Sequence, residues 1–131
     1  MSYISIDEQC VNKIEKLAVK IDELYHEIEQ VDNSQLEYNN FGLALTQCLI
    51  NLYETIRFIN SDDLALKLAV VQQKTKITRN IAAHDDGSIN WSAIKKNCRL
   101  IITLITSEFI NECYELCTAE QGTVKDYTGE V

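Results

Sequence analysis

No proline interrupts the 131 residues of this chain, and only four glycines do. These residues break helices and build tight turns, so their scarcity favours long helices over a sheet. Apolar residues make up 46% of the chain. They recur at steps of three and four, which marks one face of an α-helix. At this length the chain is one domain, able to bury a core without disulfides or metals.

Four helices follow from the pattern. Val11, Ile14, Ala18, Ile21, Tyr25 and Ile28 mark the first, from about Asp7 to Gln30, and the polar "VDNSQ" ends it. Phe41, Leu45, Cys48, Leu49, Leu52, Tyr53, Ile56 and Ile59 mark the second. "NSDD", Asn60 to Asp63, supplies a cap and an acidic first turn for the third. That helix continues through Leu64, Leu68, Val71 and Ile77 or Ile81 to about His84, where Gly87 stops it. Asn90 caps the fourth, with a stripe of Trp91, Ile94, Cys98, Ile101, Ile105, Phe109 and Cys113. "LIITLI" alone could be a strand, but no breaker falls between Trp91 and Cys117, which predicts one unbroken helix. Its middle is apolar all round at Leu100, Ile102 and Leu104, as in a central helix or a subunit contact. The expected fold is all-α, an up-and-down antiparallel four-helix bundle over residues 1–117, with 118–131 as a mobile tail.

Several function classes lack support. No apolar run approaches the roughly 20 residues that span a bilayer. "MSYISIDEQC" has neither the basic start nor the apolar core of a signal peptide, so the expected location is the cytoplasm. The five cysteines contain no CxxC pair and read as small buried hydrophobes, with no metal site and no cofactor expected. The familiar nucleotide-loop, zinc-protease and serine-hydrolase motifs are missing too.

The formal net charge is −8, which opposes general binding to a polyanion. Yet Lys67, Lys74, Lys76, Arg79, Lys95, Lys96 and Arg99 fall in one quarter of the chain against only Asp85 and Asp86. A basic centre in an acidic shell can steer a phosphate to one place; a chance cluster of solvated lysines is the alternative. Within it lies "KITRNIAAHDDGSINW", Lys76 to Trp91. On a helix, Gln72, Lys76, Asn80 and His84 form one polar ridge, with Arg79 beside it and Val70, Ile77 and Ile81 on the opposite, apolar face. An imidazole titrating near pH 6.5 moves protons at cellular pH, and a guanidinium holds two phosphate oxygens. These are parts for phosphoryl chemistry without a metal.

The segment "RNIAAH" resembles the motif of the HEPN domain family (higher eukaryotes and prokaryotes nucleotide-binding), in particular its small HepT-like toxins. That motif is an arginine, a polar residue, and a histidine a few positions on, matched by Arg79, Asn80 and His84. The resemblance implies a metal-independent endoribonuclease that works as a homodimer, the toxin of a toxin–antitoxin or phage-defence system. His84 would transfer the proton, Arg79 would hold the charged phosphorane and Asn80 would orient the imidazole or the 2′-hydroxyl. Lys74, Lys76 and Lys95 are the candidate RNA contacts. With one usable histidine per chain, two copies meeting at the third-helix ends would supply both base and acid.

HepT-like toxins paired with a nucleotidyltransferase antitoxin often carry a tyrosine two residues after the histidine. Here that place holds Asp86, so the chain departs from the family pattern at the residue on which that mode of control acts. His26, among acidic residues in "ELYHEIEQ", reads as a surface residue. Two other readings stay open: a non-catalytic module that binds a nucleotide or docks a nucleotidyltransferase or other partner, and a plain structural bundle.

Overall fold

Each helix of the computed structural model starts where a side chain accepts hydrogen bonds from backbone N–H groups that lack a helical partner. Ser5 Oγ accepts from Glu8 N at 3.0 Å to open α1, Ile6–Ile28. Asp32 Oδ1 accepts from Ser34 N at 2.9 Å and starts a short 3-10 helix, Asn33–Tyr38. Asn39 Oδ1 takes Phe41 N at 2.8 Å and Gly42 N at 3.0 Å to begin α2, Asn40–Arg57. Ser61 Oγ accepts from Leu64 N at 3.2 Å at the head of α3, Asp62–Ala82. Asn90 Oδ1 accepts from Ala93 N at 3.1 Å for α4, Trp91–Leu104, as the sequence predicts. Thr106 Oγ1 accepts from Phe109 N at 3.1 Å for α5, residues 107–117. The structure describes residues 4–82 and 89–117, the side chains of 77–82 excepted, and all regular structure among them is helical. The expected tail, 118–131, and the stop at Gly87 lie outside the described residues.

α1 packs on α2, α2 on α3, α3 on α4, and α4 returns to α1. Between them lies one apolar core. It takes Val11, Ile14, Ile21 and Ile28 from α1 and Leu45, Leu49 and Leu52 from α2, and Leu64, Leu68 and Val71 from α3. Ile94, Cys98 and Ile101 complete it from α4. No helix among the described residues is long and apolar enough to cross a membrane.

Three expectations are corrected. The unbroken helix from Trp91 to Cys117 is two helices. Ile105 leaves helical geometry at φ −90°, ψ 78°, and Thr106 caps a new start. The buried stripe shifts phase across the break, so Ile110, Cys113 and Cys117 are buried while Ile105 and Phe109 are only half-buried. The β-branched run before a Thr-Ser-Glu start is the signal for this break, since such residues tolerate non-helical backbone and threonine favours the cap. Second, Val70 is 50% exposed, and the buried side of α3 runs through Leu64, Leu68, Val71 and Thr75 instead. Third, Phe41 is 47% exposed and Gly42 takes its expected place in the core. A Cβ at Gly42 would stand 3.0 Å from Leu36 O and 3.2 Å from the Trp91 ring, so the glycine lets α4 approach α2.

Asp7 ties the start of α1 to the start of α3. Its buried carboxylate accepts from Asn60 N at 2.7 Å and Ser61 N at 2.8 Å. Hydrogen bonds to a charged acceptor contribute about 1.5–3 kcal/mol each, and removing the acceptor leaves buried donors unmatched. Asp7→Ala is therefore expected to destabilise the fold by about 2–3 kcal/mol and lower the melting midpoint by roughly 6–12 °C. Thermal denaturation followed by circular dichroism tests this, with exposed His26→Ala as the near-silent comparison.

Candidate functional site

The last turn of α3 carries Arg79 and Asn80 on consecutive helical positions. Their side chains, and all of His84, lie outside the described residues. What the structure supplies is the frame around them. Lys76, one turn before Asn80, is exposed. Lys74 is half-buried and engaged in an interaction of its own.

The start of α4 is anchored at several points. Trp91 is buried with its ring against Gly42. Asn33 Nδ2 donates to Ser92 Oγ at 2.9 Å, and Lys95 Nζ donates to the Val31 carbonyl at 2.8 Å. The second bond satisfies an acceptor just past the end of α1, where helix carbonyls lack partners and a cation is favoured. Eight residues of sequence join Ala82 to Trp91, and the two helices they join pack together. Arg79 and Asn80 thus stand in the last described turn of a helix that packs on both α2 and α4.

The basic centre read from sequence is partly spent on the fold. Lys67 Nζ pairs with Glu112 at 2.6 Å and lies 4.7 Å from the centre of the Phe109 ring, linking α3 to α5. Arg99 donates to the Tyr25 hydroxyl at 3.1 Å. With Lys95 on Val31, three of the seven cations hold helices together. Lys76 and Lys96 are the cations of the set that the structure describes as exposed without such a role. These three roles join residues far apart in sequence, so no local pattern announces them.

His26 is exposed, as expected. Its Nδ1 donates to the Asp22 carbonyl at 2.8 Å, and this bond, with the nearby carboxylates, raises its pKa. It sits on α1 and belongs to no cluster of nucleophiles or metal ligands among the described residues. No group of three or more metal-ligating side chains occurs among them.

The cysteines are buried or half-buried and unbridged. Burial pushes the thiols up, Cys98 to about 12, Cys113 to about 11 and Cys117 to about 12. They are neutral at cellular pH and do not serve as nucleophiles there.

No known protein family, curated protein or solved structure matches this chain.

The thiols give a pH prediction. In the unfolded chain they ionise near 8.5, well below their folded values. Above that pH the unfolded state binds fewer protons than the folded one, so stability is full below about pH 8 and falls as pH rises toward 11–12. Melting midpoints measured from pH 7 to 10.5 should be flat and then decline. Cys98→Ala should show a shallower decline.

Proposed function

We propose that this protein is a metal-independent endoribonuclease that cleaves RNA through its own 2′-hydroxyl. The observation that carries the reading is the sequence Arg79–Asn80 at the helical end of α3 with His84 four positions beyond Asn80. In this reading His84 takes the proton of the 2′-hydroxyl and the freed oxygen attacks the adjacent phosphorus. Arg79 neutralises the phosphorane, Asn80 orients the imidazole or the hydroxyl, and the 5′-oxygen leaves with a proton. The products are a 2′,3′-cyclic phosphate and a free 5′-hydroxyl. Lys76 and Lys74, one to two turns earlier on α3, would guide the backbone phosphates toward that end. Lys95, already bonded to Val31, would do so only by its charge. The reading includes an up-and-down antiparallel arrangement of α1 to α4, a cytoplasmic location, a homodimer and a role as a toxin or phage-defence effector. The second proton transfer comes from the partner's copy of His84 in a shared cleft or from water at each chain's own site.

A second reading has an observation of its own. Lys67 is paired with Glu112, and Lys95 and Arg99 are committed to hydrogen bonds within the fold, which narrows the basic surface free to turn toward RNA. A non-catalytic module that binds a nucleotide or docks a nucleotidyltransferase or other protein needs less of it.

Cleavage in EDTA decides between them. Wild-type protein is expected to cleave RNA without added metal and to leave cyclic phosphate ends. His84→Ala should slow this by about 10²–10⁴-fold and Arg79→Ala by about 10²–10³-fold, with helical content unchanged. Cleavage only with added Mg²⁺, leaving 5′-phosphates, would refute the mechanism. No cleavage and no growth inhibition on overexpression, with His84→Ala indistinguishable from wild type, would overturn the ribonuclease reading and put the docking module in its place.

A further inference from the structure

The outer side of α3 carries a continuous exposed face. Asp62, Leu66, Ala69, Val70, Gln73 and Lys76 follow one another at helical spacing, and all six are exposed. Leu66 is 76% and Val70 50% exposed, although α3 already buries Leu64, Leu68 and Val71 on its other side. Apolar residues on both sides of a helix mark two contact surfaces, and only one of them is covered among the described residues.

The charges along this face are arranged by sign. Asp62 and Asp63 open the helix, and Lys76 stands near its other end. A helix that is acidic at one end, apolar in the middle and basic at the other is complementary to itself when a second copy runs antiparallel. A two-fold axis near Ala69 brings Asp62 of one chain level with Lys76 of the other, and the reverse pair follows by symmetry. We propose that a second copy of this chain docks on the outer face of α3, antiparallel, with Leu66, Ala69 and Val70 at the centre. One helix pair buries less than the standard interface of about 1,600 Å², so association in the micromolar range is expected.

This inference deepens the homodimer of the ribonuclease reading and rests on that reading only for its consequence at the site. At about 1.5 Å per residue, the arrangement sets Arg79 of the two chains roughly 30 Å apart. They do not share a cleft. Each chain then works with its own Arg79, Asn80 and His84, and water returns the second proton.

Sedimentation equilibrium from about 1 to 200 µM tests the surface without any cleavage assay, so its failure and that of the ribonuclease reading are separable. Wild type should dimerise, and Leu66→Asp should raise the dissociation constant by about tenfold or more. Charge swaps give the sharper result. The double change Asp62→Lys with Asp63→Lys should weaken self-association, and so should Lys76→Glu. An equimolar mixture of the two variants should form a heterodimer. A monomer across the range, or dimers that ignore both changes, would overturn the proposal. So would dimers of the swapped chains that gain nothing on mixing. If the variants also cleave RNA, mixing His84→Ala with Arg79→Ala chains should restore no activity. Recovered activity would return the shared cleft.

Discussion

The Trp91 indole rests on a position without a side chain, and the geometry of this end of the protein follows from that contact. Gly42 lies in the first turn of α2, and any Cβ there would meet the ring and the Leu36 carbonyl. The close approach seats the Trp91 ring on the first turn of α2, and the Asn33–Ser92 and Lys95–Val31 bonds anchor the start of α4 as well.

Charged and polar groups divide between holding and reaching. Asp7 spends both carboxylate oxygens on the head of α3, and Lys67, Lys95 and Arg99 spend theirs on carbonyl, carboxylate or hydroxyl partners elsewhere in the fold. Of the central cations, Lys76 and Lys96 are left exposed without such a role, on a protein with a formal charge of −8. Such a surface repels nucleic acid at long range and admits a phosphate only where those few cations stand. Under the proposed ribonuclease reading, that pattern combines weak general affinity for RNA with a local exception.

Much of the fold was legible residue by residue. The α1 stripe from Val11 to Ile28 reads correctly because every third or fourth position is aliphatic or aromatic. Asn90 reads as a cap because asparagine before an apolar run has few better uses. Errors came where two apolar choices lay side by side. Val70 and Val71 are chemically equal, and only packing against the other helices puts one inside and the other out. Phe41 lost the core to Gly42 because the Trp91 ring, about fifty positions away, filled the space. The break at Ile105 went unseen because no glycine or proline marks it; a threonine cap does. For the site, residue types and spacing pointed to the end of α3, whereas the use of Lys95 and Arg99 as fasteners depends on partners that only the fold reveals.

The Tyr114 hydroxyl of α5 binds the Asn12 amide oxygen and the Glu15 carboxylate of α1, across a sequence separation of about a hundred residues. A chain made from its N-terminus therefore exposes the outer side of α1 until α5 has been synthesised. At roughly 5–20 residues per second, that wait is about 5–20 s on the ribosome. Any property that depends on the assembled core is withheld for the same interval.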